Sequence, residues 1–342
     1  MKKNIALLVL FISISISSYS QNGGLESILF AAEDASKLTG AYISPAMKGL
    51  VHSMNGGWYH TAKVHKKFGF DISIGANISY VPKADETFNI AALGLTKTTS
   101  TSLTAATIAG SQNLQSPMTI NTNIDGQDVT ATFKLPGGIK EDLPINAIPS
   151  PAVQINLGLP YKFEAMLRLI PKIGNNETKG QLVGLGLKKE ITDWFGPLNK
   201  LPLHVSLLGA YTNMSIDHRI MDDNSTDNIV ISNGNAGFKI NSYTIQAIAS
   251  LNFPIINIYG GIGYGAGNAN ININGTYDLA YNINGGGTQV EVAKDPIRQK
   301  FNANSFRGTI GTRLSLGFFK IFADYTLQEY NTLNAGIAFS FR

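Results

Sequence analysis

A closed antiparallel β-barrel that crosses a membrane is the fold this chain predicts, and three observations carry it. Apolar residues recur at every second position through long stretches, the mark of strands with two unlike faces. After the first few residues' leader, no run of ~20 apolar residues occurs, so no membrane helix can be drawn. Charged residues make up 15% of 342, well below the ~25% of ordinary soluble domains, while Gly stands at 35. A soluble sandwich would alternate too. Here the polar face is rich in Gly, Ser, Asn and Thr and poor in Lys and Glu, which suits a crowded lumen better than a solvated surface.

The elements follow in chain order. Lys2 and Lys3, the apolar run from Ile5 to Ile16, and Ser18 and Ser20 make a secretory signal peptide over 1–20, with cleavage before Gln21. The chain has no cysteine, which excludes disulfides, thiolate metal sites and a lipid-bearing cysteine at that point. Without the leader the net charge falls to about +2, spread along the chain, so nucleic acid is not expected as a partner. Residues 21–56 carry helical spacing (Leu25, Ile28, Leu29, Ala32), and "SPAMKGLVHSM" adds a second short helix. A segment of this kind is placed to plug a lumen. Residues 57–342 form the barrel.

Strands are read near residues 57–66, 68–82, 150–159, 161–172, 179–190, 201–216, 237–252, 255–270, 304–317, 319–330 and 333–341. In "FGFDISIGANISY" Phe68, Phe70, Ile72, Ile74, Ala76, Ile78 and Tyr80 make one face, and Asp71, Ser73, Asn77 and Ser79 the other. An even strand number is usual in such barrels, so about twelve strands are expected, with ten to fourteen allowed. Either a strand hides between 84 and 147, or 57–66 is not part of the wall. "MTINTNIDGQDVTATFKL" reads as a hairpin turned at Asp125-Gly126, projecting as an external excursion. Short turns ("GLPYK", "LNFPIIN", "GFFK") and the connector 193–202 belong to the periplasmic side. The long segments 84–147, 173–179, 217–236 and 271–303 are expected outside.

Register adds one sharp expectation. With a two-residue loop at Phe318-Phe319, Arg313 falls opposite Asp324, both inward, as a cross-strand ion pair in the lumen.

At the end of the chain, "NAGIAFSFR" resembles the C-terminal β-signal of bacterial outer-membrane proteins, carried by Asn334, Gly336, Phe339 and Phe341. It departs by one residue, since Arg342 follows the final aromatic. The resemblance implies the outer membrane as location, with outer-membrane lipid and the barrel-assembly machinery as partners. "AEDAS" followed by "SPAMKGL" resembles the N-terminal hatch of FadL-type long-chain fatty-acid transporters, on Asp34, Ala35, Ser36, Pro45, Ala46, Gly49 and Leu50. Ser44 stands where that family has Asn, and Met47 and Lys48 are inserted before the Gly. The resemblance covers under a tenth of the chain. It implies a passive conduit or binder for a hydrophobic small molecule. The whole chain, with "GGWYHTAKVHKKFGFD" leading into its long strands, is similar to uncharacterised outer-membrane barrels of gliding and gut-type Gram-negative bacteria, of the Bacteroidota type. That likeness implies a location without an activity.

Two rival functions belong to other classes. One is a structural or adhesion barrel with a closed lumen and functional external loops. The other is a lipid hydrolase, because "LPLHVSLLG" sets His204 and Ser206 on one strand face, a His-x-Ser resembling that of outer-membrane phospholipases and lipid A deacylases. The phospholipase pattern continues Ser-Asn-Gly, whereas Leu207 and Leu208 follow here, so no enzymatic activity is expected. No cofactor or metal is expected either. His52, His60, His65 and His218 lack metal-ligand spacing with carboxylates, and "DDNSTDN" (222–228) lacks the turn Gly and late Glu of a calcium loop. "GGIGYGAG" (260–267) is not followed by a helix and reads as alternating Gly in a barrel strand, with Ile258, Ile262 and Tyr264 outward.

Overall fold

The computed structural model describes residues 28, 29, 31, 34–124, 127–220, 229–282 and 288–341. The signal peptide, the Gln21 cleavage point, the Asp125-Gly126 turn and 222–228 lie outside them. Among the described residues, one α-helix, α1 (Ala35–Met54), precedes the first strand, β1 (Phe70–Tyr80). An excursion follows with β2 (Thr87–Asn89), β3 (Thr98–Ser100), β4 (Thr104–Ala106), β5 (Pro117–Ile124) and β6 (Gln127–Lys134). The chain then runs through β7 (Ala147–Leu159), β8 (Phe163–Gly174), β9 (Thr178–Glu190), β10 (Leu203–Ile220), β11 (Ile229–Asn252) and β12 (Ile256–Asn282). It ends with β13 (Thr288–Lys294), β14 (Ile297–Leu316), β15 (Phe319–Leu327) and β16 (Thr332–Phe341).

The main sheet runs β11-β10-β9-β8-β7-β1-β16-β15-β14-β12-β13, and a further pairing of β11 with β12 closes it. β13 prolongs β14 along the same side of β12, so ten strands form the ring. All pairings are antiparallel, and ten lies at the lower end of the expected range. The excursion supplies two small sheets, β2-β4 and β3-β5-β6, and the hairpin expected at 118–135 is β5–β6.

Which face meets lipid follows from the two-residue period. Ile310 on β14 is 68% exposed and Ile262 on β12 is 72% exposed, while the inward Arg307, Asn257 and Tyr259 are buried. Lipid admits such strands only where no edge is left open, and the ring leaves none at that depth. Aromatic side chains bound the apolar band. At the short-turn end Phe70 and Phe341 stack at 5.1 Å, and Phe318 and Phe319 lie against Phe339 at 6.3 and 5.5 Å. At the other end Tyr211 pairs with Tyr243, and Tyr264 meets Phe306 edge-on at 5.4 Å. From Phe306 to Leu316 the strand covers roughly 33 Å, or about 25 Å of height at a ~40° tilt, the height of a barrel's apolar band. This is an outer-membrane-type β-barrel.

Two expectations about connections need correction. Segments 217–236 and 271–303 are largely strand, because β10 to β14 continue far beyond the aromatic rim and the 27-residue β12 is the longest. The period of two persists there, and Tyr277, Leu279 and Tyr281 turn inward and are buried. The hairpin between β14 and β15 turns at Gly317-Phe318, since Leu316 pairs with Phe319. Gly317 takes φ 65°, a conformation that glycine adopts at no steric cost, whereas the aromatic pair Phe318-Phe319 would have to strain.

Candidate functional site

The lumen is occupied by the chain itself. α1 runs as one helix through Ser44 and Pro45 instead of the two short helices expected. Its Leu38, Tyr42, Ile43, Met47, Val51 and Met54 pack on Ile170, Leu182, Met214, Ile240, Ala269 and Ile271 of the wall, beneath Ile90, Ala105, Met118 and Leu135 of the excursion. Proline inside a helix removes a hydrogen bond, but burial of thirteen of the twenty residues, Pro45 among them, holds the helix together.

Two arginines from nearly opposite walls close its C-terminal end. Arg168 donates from Nη1 to the Met54 carbonyl (3.1 Å) and from Nη2 to that of Gly56 (3.1 Å), and Arg307 Nη1 donates to that of Asn55 (2.7 Å). Helix carbonyls left without partners, at the negative end of the dipole, are where cations stabilise most. The Arg168 guanidinium also lies 4.0 Å over the Trp58 ring.

Glycine shapes the wall where the plug presses closest. The inward glycines of β12 form a track: a Cβ at Gly267 would lie 2.7 Å from Val51, at Gly265 3.1 Å from Asn55, and at Gly261 2.6 Å from the Tyr59 hydroxyl. Val51, Asn55 and Tyr59, each four apart along the plug, thus meet Gly267, Gly265 and Gly261 on the inward face of β12, within "GGIGYGAG".

Residues 57–66, expected as a strand, belong instead to the plug. Their backbone is satisfied by wall side chains. Ala62 N–H donates to Ser250 Oγ (3.0 Å), Val64 N–H to Glu190 Oε2 (3.0 Å) and His65 N–H to Glu164 Oε2 (2.9 Å), and Ser206 Oγ donates to the Ala62 carbonyl (2.5 Å). Ionic contacts interlace with these. Lys188 Nζ is 2.7 Å from Glu164 Oε1, His65 Nδ1 is 2.8 Å from Glu164 Oε2, and His60 Nε2 is 3.2 Å from Asp71 Oδ2. Asn156 Nδ2 donates to the other Asp71 oxygen at 2.6 Å, and His60 stacks on Phe322 at 4.9 Å. Glu164, Lys188 and Asp71 are each at most 2% exposed. Buried charges persist only when paired and hydrogen-bonded, and these are.

The sequence-derived site residues fall as follows. Arg313 and Asp324 both turn inward on adjacent strands but form no pair. The Gly317 turn shifts the partnering by two, so Arg313 faces Phe322 and Asp324 faces Gly311. Arg313 Nη1 donates to His60 Nδ1 (2.9 Å), while Asp324 accepts from the Tyr259 hydroxyl (2.9 Å) and Asn334 Nδ2 (2.6 Å). Of the β-signal residues, Asn334 therefore serves the lumen, Gly336 makes room for the Phe322 ring, and Phe339 and Phe341 face outward on the strand that pairs with β1 and closes the ring. The hatch residues lie on or beside α1. Ala35, Pro45 and Gly49 are buried, Ala46 and Leu50 pack on the core, and Ser36 accepts a hydrogen bond from Gln299 (2.9 Å). Asp34 accepts the backbone N–H groups of Thr96, Lys97 and Thr98 at 2.9–3.0 Å, tying the start of the helix to the excursion. Burial pushes its carboxyl up, but those N–H groups and the Thr96 hydroxyl outweigh it and hold it below the ordinary carboxylate range.

His204 and Ser206 are engaged separately. His204 Nδ1 is 2.9 Å from Glu190 Oε1, and the buried Ser206 hydroxyl bonds to Ala62. Among the described residues no group of three or more His, Asp or Glu side chains is arranged to hold a metal ion. Asp71 was read on the inward face of its strand, but sequence reasoning missed its grip on the plug and missed Arg168, Glu164, Lys188 and Arg307 as residues that do the same. The available signal was a charge at an inward-facing period-two position within an otherwise apolar strand.

Among solved structures, the chain is similar to Ail, the attachment invasion locus protein of Yersinia pestis (12% identity, 80% of this chain and 99% of that chain covered, TM-score 0.27). It is similar also to the translocator domain of the autotransporter NalP from Neisseria meningitidis (9%, 81% and 90%, TM-score 0.30) and the outer membrane protease OmpT from Escherichia coli (12%, 80% and 96%, TM-score 0.28). Likenesses this distant carry nothing about activity. Comparison with curated proteins gives no match. The family model that does match spans residues 1–341, and the chain belongs to that Family of unknown function (DUF6588).

Proposed function

We propose that the protein is a closed outer-membrane barrel that acts through its outer face, where the excursion β2–β6 and the long strands β10–β14 stand clear of the membrane. The observation that carries this reading is the plug. Between Leu38 and His65 it fills the lumen with buried side chains and bonds to the wall through backbone as well as side chains. A passive conduit needs a continuous passage, and breaking one buried ion pair to open it costs about 3–5 kcal/mol. Liposomes carrying the purified protein should retain a small entrapped fluorophore, and liposomes carrying a variant lacking residues 35–54 should release it. Release by the intact protein at the rate of the deletion variant would overturn the reading.

One observation favours a second reading, gated passage of a hydrophobic molecule as in FadL-type transporters. The wall around α1 is apolar (Ile170, Leu182, Met214, Ile240, Ile271), so withdrawal of the helix would leave an apolar chamber. Cells expressing the protein should then take up a fluorescent fatty acid faster than cells lacking it. Equal uptake removes this reading.

A further inference from the structure

We infer that the outward face of β11, β12 and β14 just beyond the aromatic rim binds the phosphorylated sugar headgroup of an outer-leaflet glycolipid, of the lipopolysaccharide class. This goes beyond the proposed function and shares with it only the orientation of the barrel. In β12, "NANININ" (268–274) sends Ala269 and Ile271 inward, where both are buried, and Asn268, Asn270 and Asn272 outward. Asparagine is depleted in strands, so its recurrence at alternate positions does not follow from what a sheet selects for its own stability. Register lines these amides up with more of the same. Asn213 of β10 pairs with Asn241 of β11, Asn241 with Asn268, and Asn268 with Asn302 of β14, one amide from each of four adjacent strands. Tyr211 of the rim donates its hydroxyl to Asn241 Oδ1 (2.7 Å), Asn213 Nδ2 donates to the same oxygen (2.8 Å), and Asn241 Nδ2 donates to Asn268 Oδ1 (3.2 Å). The row is held in one orientation before any ligand arrives.

Cations stand further out. Lys239 and Lys300 flank Asn270 from either side, and Arg298 pairs with Asn272 in the row after that. All three are exposed, and none forms an ion pair with a described carboxylate. Asp217 of β10, the acid that borders the patch, lies opposite Lys179 of β9, and its Oδ2 is 3.8 Å from Lys172 of β8. Charge is therefore balanced on β8 to β10 and left positive on β11 and β14. With neighbouring strands about 4.8 Å apart, Lys239 and Lys300 stand about 10 Å apart at Cα, a span that two lysine side chains can close on one phosphate. Depth selects the class of lipid. Lys239 lies four residues outward of Tyr243, and Lys300 six outward of Phe306. At ~3.4 Å per residue and a ~40° tilt, that is about 10–15 Å beyond the rim. The head groups of a phospholipid leaflet occupy only ~5–8 Å outside the hydrocarbon. A phospholipid phosphate thus lies below the lysines. A glycolipid whose sugars and phosphates extend outward reaches both rows, with hydroxyls for the amides and phosphates for the cations.

The test uses the full-length protein in detergent micelles, with purified lipopolysaccharide as probe and native mass spectrometry to count what is bound. One variant combines Lys239→Ser, Arg298→Ser and Lys300→Ser. A control combines Lys172→Ser and Lys179→Ser, which removes outer cations from β8 and β9. Heat-modifiable mobility confirms that each barrel has folded. We expect the triple variant to bind at least tenfold more weakly than the parent, the control to bind like the parent, and dephosphorylated lipopolysaccharide to bind the parent at least tenfold more weakly. Equal binding by parent and triple variant overturns the inference. So does an equal loss in the control, because overall charge and not this patch would then attract the lipid. Phosphatidylglycerol that competes as well as lipopolysaccharide overturns the choice of a glycolipid. The patch lies outside the lumen, so retention of an entrapped fluorophore by the triple variant reports on the plug alone, and either reading can fail without the other.

Discussion

From Leu38 to Met54 the plug meets Ile170, Leu182, Met214, Ile240 and Ile271, whereas from His60 to His65 it meets Asp71, Glu164, Lys188 and Glu190. The outer half is held mainly by apolar burial, which is non-directional and tolerates small displacements, with Glu329 in the β15–β16 connection 3.3 Å from both Lys48 Nζ and His52 Nε2 as its ionic contact. The inner half is held by charge pairs and hydrogen bonds that are satisfied in one geometry only. The difference follows the chain's next task. Five residues past His65 the backbone enters β1, which must pair in one register with both β7 and β16. A one-residue slip there would turn Asp71 and Asn77 into lipid. The ionic half thus sets position, while the apolar half supplies most of the burial.

That division can be broken by substitution. Glu164→Ala removes the partner of Lys188 and the acceptor of His65 and leaves a buried ammonium. We expect a loss of about 3–5 kcal/mol in reversible unfolding in detergent micelles. Unchanged stability would mean that water reaches this half and that the comparison is wrong. Leu38→Ala in the apolar half should cost about 3 kcal/mol as a cavity, with no dependence on salt. A salt-dependent loss would show that ionic contacts extend further out than described. Gly261→Val tests the track between the halves. Overpacking against the Tyr59 hydroxyl should cost about 1–3 kcal/mol and raise leakage through the barrel, read by single-channel recording. A variant as tight as the parent would mean that the plug yields freely there.

The smallest effect is expected at the outer end. Asp34→Asn should lose about 1 kcal/mol at neutral pH, since an amide keeps an acceptor but not the charge that three N–H groups converge on. The carboxyl is held below its ordinary range when folded. Its contribution is therefore complete above about pH 4 and disappears as acid titrates it through the folded value. Unfolding curves of parent and variant should converge below that range. A gap that persisted in strong acid would show that the side chain's shape matters and its charge does not.

Alternation in "FGFDISIGANISY" and "SYTIQAIASL" was enough to draw the wall, because a strand between lipid and lumen writes its two faces into alternate residues. At 57–66 the strand reading was one of two that the sequence left open, and the structure takes the other. Trp58, His60 and Ala62 alternate there with Tyr59 and Thr61, yet the backbone donors go to Ser250, Glu190 and Glu164, and no neighbouring strand takes them. Period alone cannot tell a strand's partner from a side-chain acceptor. The inward side of Arg313 and Asp324 was legible, and their pairing was not, because parity survives a shift of two whereas contact does not. Asp34 stood out in the sequence only through the likeness of its neighbours to a transporter hatch, and nothing in that pattern pointed to the excursion. Its three N–H partners come from residues more than sixty positions away, beyond the reach of any local signal.

β14 crosses from one solvent to another without a break. Below Phe306 its outward residues are Ile310, Thr312, Leu314 and Leu316, and above it they are Arg298, Lys300, Asn302 and Asn304. A single strand is in this way a depth gauge for the membrane, graduated in steps of two residues. The level at which its outer face turns from branched aliphatic to basic and amide side chains marks where hydrocarbon gives way to head groups. Fluorophores attached one by one along that face would read bilayer thickness directly, and would report how the barrel rides up or down when the lipid around it changes.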